Sequence, residues 1–231
     1  MAHMPFTEAA GWGLSAPVTD SGPIVWPRSG YLSADGTKAS QGVRHPTFFV
    51  SGNYLYVFYL DMSYGSTWGS IKVARAALSD LPSPSAFRAY GNDGFLQPAL
   101  PAGFNAADIR SFYRVKGPAS DCIVGCADDS FRFSVASIKD SNRFLGVLEY
   151  WDRTNKKARV SLTTSSDLMH WSDPVVVQEA EAWSSITLHY PIFMDEAGWT
   201  NTTVDPKGFY LLGTDTHANT MVLKASIEIV E

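Results

Sequence analysis

The chain has 231 residues, of which 45% are hydrophobic and 18% charged, and its formal net charge at pH 7 is −5. The lysines and arginines are dispersed and form no basic stripe of the kind that binds phosphate backbones, so we expect no nucleic-acid partner and favour a neutral, polar substrate. No run approaches the length of about 18 apolar residues that a membrane span needs, so we expect no membrane partner.

The first four residues, Met1 to Met4, are typical of a cloning remnant, and we assign residues 5–231 to a single domain. Thirteen Phe, ten Tyr and seven Trp favour pleated, aromatic-rich sheets over a helical bundle. No long stretch carries apolar residues at helical spacing between a cap and a stop signal. The composition therefore predicts an all-β protein with short helices or none.

The first group of predicted strands lies in the region 47–90. Turn-forming residues separate these strands, among them Ser51–Asn53 and Pro82–Pro84. Four antiparallel strands at this spacing form one blade of a β-propeller. The second strand is apolar on both faces, as expected for a strand between neighbouring blades. The four predicted strands are Thr47–Val50, Tyr54–Asp61, Ser70–Leu78 and Ala86–Tyr90.

A short phrase recurs along the chain, in which a polar residue precedes an aromatic strand. Its copies are Arg44–Phe49, Asp108–Tyr113 and His189–Met194. The second interval is longer than the first and leaves room for an extra blade, formed by Phe131–Lys139 with Phe144–Asp152. Blades repeat around one axis, so the polar residues that open them should face a common mouth. The sequence thus predicts a propeller of four to five blades.

The last predicted unit lacks an outer strand; it comprises His189–Met194, Phe209–Asp215 and Met221–Ile229. The N-terminal segment Gly11–Val18 resembles His170–Val175, which follows an earlier blade strand. We expect this segment to complete the last blade, because closing the ring removes exposed sheet edges.

The two cysteines, Cys122 and Cys126, are four positions apart. Along one face of an extended strand they would lie about 13 Å apart, which is beyond the reach of a disulfide unless the strand bends. We therefore expect two buried free thiols.

Ser165–Trp171 reads Ser-Ser-Asp-Leu-Met-His-Trp, and Asp108–Tyr113 is followed by Asp121–Gly125. Both segments resemble phrases of the five-bladed propeller glycoside hydrolases, the arabinanase, β-xylosidase and invertase superfamily. The resemblance extends from about Arg44 to the C-terminus. It implies a carbohydrate-active, secreted protein, extracellular or periplasmic, that hydrolyses a glycosidic bond in polysaccharide degradation.

In that superfamily an Asp opening one blade is base or nucleophile, an Asp on the next tunes it, and a Glu on a third is the acid. Asp108 matches the tuning position. His45-Pro46 stands in place of Asp-Pro, and His189-Tyr190-Pro191 in place of Glu-Gly-Pro. A glycosidase pair needs carboxyls about 5–5.5 Å or about 6.5–9.5 Å apart. Either the chemistry has been lost or other acids reach the mouth, the candidates being Asp20, Asp61, Glu149 and Asp152.

In an active enzyme Asp108 would tune or orient, and Glu149 or Asp61 would be the acid/base partner. Glu149 lies in an apolar strand, where a carboxylate either faces solvent or is buried with the raised pKa that a general acid needs; we expect it to face solvent. The rival hypothesis is a non-catalytic glycan-binding or assembly module. The predicted carbohydrate-binding residues are Arg44, His45, Arg110, His189 and Tyr190.

Val43–Pro46 also resembles the Arg-Ile-Pro phrase of sialidase-like propellers, in which case Arg44 and Arg110 would clamp a carboxylate. The chain is short for the six blades of those enzymes.

The histidines lack metal-ligand spacing, so no zinc and no cofactor is expected, whereas a structural calcium ion bound by carbonyl oxygens stays open. Asp167 and Trp171 are interpreted as structural. At most one or two tryptophans should stack on sugar rings while the others pack in the fold, from the set Trp68, Trp151, Trp183 and Trp199.

Overall fold

The structure is a computed structural model that describes residues 22–33, 35–62, 69–196 and 202–228, together with the backbone of two short strands near the N-terminus. Its regular structure is mostly antiparallel β-sheet. None of the helices in these segments has the length and apolar character needed to span a membrane. The strands are β1 Ala2–His3, β2 Thr19–Asp20, β3 Gly42–Ser51, β4 Tyr54–Met62, β5 Gly69–Ala77, β6 Arg88–Gly91, β7 Gly94–Pro98, β8 Asp129–Ile138, β9 Phe144–Asp152, β10 Lys157–Ser165, β11 Val175–Ala180, β12 His189–Asp195, β13 Thr203–Val204, β14 Phe209–Thr214 and β15 Thr220–Ala225. Short 3₁₀ helices span Leu78–Asp80, Pro84–Ala86, Ala106–Phe112 and Trp183–Ser185.

The longer strands form a ten-stranded sheet, which we divide into blades 1 and 2, and a three-stranded sheet, which we call blade 3. Blade 1 contains β3 to β7, blade 2 contains β8 to β11, and blade 3 contains β12, β14 and β15. One backbone pairing, Gly69 with Ser130, connects blades 1 and 2. The first strand of blade 2, β8, contacts the first strands of both other blades, β3 and β12. The first strand of blade 2 therefore lies between the first strands of blades 1 and 3.

Strand β4 shows why the blades stack. Tyr56, Phe58 and Leu60 enter a core cluster that blade 1 shares with blade 2. Leu55 and Val57, on the opposite face, enter a second core cluster of blade 1. The apolar pattern on both faces thus reflects burial on both faces, which confirms the prediction for this strand.

Strand β9 has the same arrangement in blade 2. Leu148 and Tyr150 pack toward blade 1, whereas Leu145 and Val147 pack in the cluster shared with blade 3. A Cβ on Gly146 would lie 2.6 Å from an aromatic carbon of β8. Blade 2 is therefore packed on both faces, with no room for a side chain at this position.

The strand predicted to begin at Asp108 is not formed. Residues Ala106–Phe112 form a 3₁₀ helix, and the side chain of Asn105 caps it by accepting a hydrogen bond from the Ala107 N–H at 3.0 Å. Such side-chain to backbone bonds compete with strand formation. The first strand of blade 2 is β8 instead, so the two units predicted at 108 and 131 are a single blade, and the prediction of a blade opening at Asp108 was wrong.

Cys122 and Cys126 form a disulfide, with Cα atoms 5.7 Å apart. The chain turns here, and Gly125 has φ 61°, a left-handed value that glycine adopts without strain. The expectation of free thiols was wrong because it assumed an extended strand.

The structure describes three blades. Blade 3 has three strands within the described residues. The segment Gly11–Val18, which we expect to supply its fourth strand, lies outside the described residues. Ring closure and a fourth or fifth blade therefore stay predictions.

Candidate functional site

Each of the three first strands carries a β-bulge close to its N-terminal end. The register shifts lie between Arg44 and Thr47, between Ser130 and Arg132, and between His189 and Ile192. The bulged segments contain His45-Pro46, Phe131 and Tyr190-Pro191. His45 has φ 49° and Tyr190 has φ 55°, values that bulky residues rarely adopt. The bulges thus direct one ring side chain from each blade away from the regular pleat.

The bulged residues bring their rings together across the three blades. The centroid of His45 lies 4.9 Å from that of Phe131 and 5.7 Å from that of Tyr190, and Phe131 and Tyr190 are 5.5 Å apart. Trp183, in the 3₁₀ helix before β12, adds a fourth ring 5.2 Å from Phe131. We call these four residues the aromatic mouth. Tyr190 is 44% exposed and the other three are partly buried, so solvent reaches the rings.

Glu149 lies beneath the aromatic mouth on β9 and is fully buried. One oxygen, Oε1, accepts a hydrogen bond from His189 Nδ1 at 2.6 Å, and Oε2 accepts one from the Tyr190 backbone N–H at 2.9 Å. The expectation that this carboxylate faces solvent was wrong, because packing of blade 3 onto blade 2 covers it. Glu149 therefore fastens the bulge of β12 to blade 2.

Two polar atoms at the aromatic mouth are buried without a partner. Neither His45 Nε2 nor Arg132 Nε has a hydrogen-bond partner in the described part of the chain. The guanidinium carbon of Arg132 lies 5.8 Å from the centroid of the Tyr190 ring. Burial, with the charges of Arg132 and Arg44, lowers the pKa of His45 from its ordinary 6.5, so this imidazole is neutral at pH 7.

Asp61 belongs to another buried cluster, at the end of β4. Its Oδ2 accepts a hydrogen bond from the Arg28 backbone N–H at 3.3 Å and lies 3.9 Å from Lys72 Nζ. Burial raises the pKa of Asp61, and the neighbouring Lys72 only partly offsets this. Burial likewise lowers the pKa of Lys72, whose ammonium donates to the carbonyl of Ser120. The hydrogen bond and ion pair of Asp61 thus connect blade 1 to the segments that pack on it.

Asp108 and Arg110 lie on the exposed 3₁₀ helix between blades 1 and 2. The Asp108 carbonyl accepts a hydrogen bond from Ser111 Oγ at 2.8 Å. Among the described residues, no hydrogen bond or ion pair joins either side chain to the aromatic mouth. The structure brings together the predicted residues His45, His189 and Tyr190, with Arg44 exposed beside them, but not Asp108 or Arg110.

Asp152 accepts hydrogen bonds from Asn155 and forms an ion pair with Arg159. These interactions fix the turn between β9 and β10. The side chain of Asp20 and the residues Trp68 and Trp199 lie outside what the structure describes. Trp151 packs against the core between blades 2 and 3, and Trp183 reaches the aromatic mouth. In the described segments, no three His, Cys, Asp or Glu residues are grouped as metal ligands.

Asp167 and Trp171 brace the turn after β10. The Asp167 carboxylate accepts from the backbone N–H groups of Met169 and His170, and together with His170 and Ser165 these bonds outweigh burial and lower its pKa to about 2. The Trp171 ring packs 4.9 Å from Phe133. Their role is structural, as the sequence indicated.

Phe131 and Arg132 are site residues that the sequence did not predict. Both follow Ser130 at the start of β8, and the segment Phe131–Lys139 was interpreted only as an extra strand. Alignment of that start with Arg44–Thr47 would have placed Phe131 at the mouth. The bulge that aims it depends on pairing with β9, which the sequence does not display.

No family model matches the chain, and no curated protein does. Several solved structures match over part of their length. An α-L-arabinofuranosidase from Podospora anserina has 13% identity and a TM-score of 0.42, covering 83% of this chain and 55% of that one. A fructan 1-exohydrolase from Cichorium intybus has 16% identity and a TM-score of 0.45, covering 79% and 30%. A β-fructofuranosidase from Bombyx mori has 16% identity and a TM-score of 0.45, covering 87% and 35%.

This chain thus spans about half or less of each of these structures. At this level of identity the likeness concerns the fold alone. The matched structures include glycoside hydrolases of families GH62 and GH32, and this chain is similar to part of them.

Proposed function

We propose that this protein binds a carbohydrate at the aromatic mouth without hydrolysing it. The observation that carries this proposal is the convergence of three ring side chains on bulges of neighbouring blades, with the ring of Trp183 beside them. Aromatic faces pack against the C–H face of a sugar ring, while polar groups at the edge bond its hydroxyls. The side chains of His45 and Arg132, each with an unpartnered buried nitrogen, supply such polar groups.

The carboxylates favour binding over hydrolysis. Glycoside hydrolysis uses two carboxyls on either side of the scissile bond, about 5–9.5 Å apart. Glu149 is fully buried, and both of its oxygens accept hydrogen bonds from blade 3. Asp61 is buried in its own ion pair with Lys72. Glu149 thus presents no free oxygen to a sugar on the aromatic mouth, and Asp61 belongs to a separate buried cluster.

Hydrolysis is the second candidate, and one observation favours it. Burial raises the pKa of Asp61, which is the condition that a general acid requires. An acid in this role would have to exchange its bond with Lys72 for one with the substrate. The proposed enzyme would then be a glycoside hydrolase of the kind the sequence resemblance implies.

An oxidising location fits either activity. Disulfides persist outside the cytosol, in extracellular and periplasmic compartments. The disulfide between Cys122 and Cys126 supports such a location for this protein.

The test is a binding screen against oligosaccharides from plant and microbial polysaccharides, followed by calorimetry on the best ligand. Tyr190→Ala and Trp183→Ala should each weaken binding roughly tenfold, as expected for aromatic residues central to an interface. Tyr54→Ala is the matched control, since Tyr54 is a 37% exposed tyrosine at the end of β4 that is far from the aromatic mouth. Equal binding by wild type and both mouth variants would refute the proposed site. Turnover of the ligand by the wild-type protein would establish hydrolysis instead.

A further inference from the structure

The charges around the aromatic mouth are unbalanced in favour of cations. Arg44 is exposed beside His45, and Arg132 lies against the ring of Tyr190. Arg132 and Glu149 are register partners on β8 and β9, yet among the described residues no ion pair within 4.0 Å joins them. Glu149 gives both oxygens to other donors. In a chain with a net charge of −5, this site is locally positive.

The two unpartnered nitrogens at the aromatic mouth indicate the kind of ligand group that would bind there. Buried polar atoms normally have hydrogen-bond partners, and a buried N–H that lacks one calls for an acceptor. Arg132 Nε and His45 Nε2 both lack one, and the charge of Arg132 is close enough to lower the pKa of His45. A neutral imidazole carries its one N–H on either ring nitrogen, and in the tautomer with the proton on Nε2, His45 donates to the same acceptor group as Arg132.

A carboxylate fits this pair of donors better than a hydroxyl does. The guanidinium group presents parallel N–H donors that match the two oxygens of a carboxylate, and the hydrogen bonds formed are strengthened by charge. The charge of Glu149 acts on Arg132, but both Glu149 oxygens accept from other donors, so a hydroxyl would leave Arg132 without a hydrogen-bonded counter-ion. The rings of Phe131 and Tyr190 lie beside the donors, where they can hold the face of the sugar that carries the acid.

We infer that the carbohydrate bound at the aromatic mouth carries a carboxylate, as a uronic acid does, and that Arg132 with His45 recognises it. This inference rests on the proposed function and narrows its ligand class to acidic sugars. Arg132 is here a specificity residue, whereas the aromatic rings supply the part of binding that is common to neutral and acidic sugars.

The test compares a panel of oligo-uronides with their carboxyl-reduced neutral counterparts by calorimetry, using the whole chain. Hydrogen bonds to a charged group predict that the acid binds roughly 10- to 100-fold more tightly than its neutral counterpart. Arg132→Gln should remove this advantage, so that acid and neutral sugar bind with similar affinity, and the loss for the acid should be much larger than any loss for the neutral sugar. Arg88→Gln, on β6 of blade 1, is the matched control and should change neither affinity.

The possible outcomes distinguish failure of this inference from failure of the proposed carbohydrate binding. Equal affinity for acid and neutral sugars would overturn the inference and leave carbohydrate binding intact, whereas binding of neither would overturn both. Sulfated oligosaccharides form a further arm, and binding of these as tightly as uronides would overturn the assignment of a carboxylate. The comparison in the wild type decides the question even if Arg132→Gln does not fold, and there the advantage of the acid should shrink as salt is raised.

Discussion

Replacement of Glu149 by glutamine tests whether this buried carboxylate holds blade 3 on blade 2. The substitution keeps the size and shape of the side chain but removes its charge and one of its two acceptor oxygens. Glu149 accepts hydrogen bonds from His189 Nδ1 and from the Tyr190 backbone N–H. With the proton of His189 on Nδ1, glutamine can accept one of these bonds and leaves the other donor without an acceptor.

The magnitude follows from the burial of the site. Glu149 is fully buried, so no water replaces the lost acceptor. A buried donor left without a partner costs about 1–3 kcal/mol. Taking ~2 kcal/mol, the melting temperature of a domain of this size should fall by roughly 4–8 °C.

Thermal unfolding followed by tryptophan fluorescence measures this shift, since the Trp183 ring lies 5.8 Å from the ring of His189. Glu181→Gln is the control for the same chemical change, because its side chain is 85% exposed and pairs only with Lys157 in the described residues. This control should have the same melting temperature as the wild type. If Glu149→Gln also melts with the wild type, the bonds from Glu149 do not stabilise the contact between blades.

Two further predictions concern stability elsewhere. Asp61→Asn removes the counter-charge of the buried Lys72 and should cost about 3–5 kcal/mol in urea unfolding, most of which the added change Lys72→Met should restore; a cost of less than about 1 kcal/mol would contradict a buried ion pair. Replacing Cys122 and Cys126 together by serine should lower the free energy of unfolding by ~2 kcal/mol, the value for a closed loop this short. Alkylation of either cysteine in the unreduced protein, read by mass spectrometry, would show that the disulfide is absent.

Much of the fold could be predicted because its signals are local. The strand predicted at Tyr54–Asp61 is observed at Tyr54–Met62, and the one predicted at Phe144–Asp152 is observed with the same bounds. Both are apolar on two faces, a pattern that any strand packed between sheets must show. The strand predicted at Asp108 is not formed because polar residues before aromatic ones also occur in capped turns, and the Asn105 cap gives no distinct signal in the sequence.

The amino-acid sequence by itself determined the strands, their turns and several residues of the site, among them His45, His189 and Tyr190. Only the tertiary structure decided how these residues meet. The bulges depend on the register between paired strands, and the bond between Glu149 and His189 joins residues 40 positions apart. Burial of Glu149 arises only when blade 3 covers blade 2, because a side chain's environment is set by what packs against it and not by its neighbours in the chain.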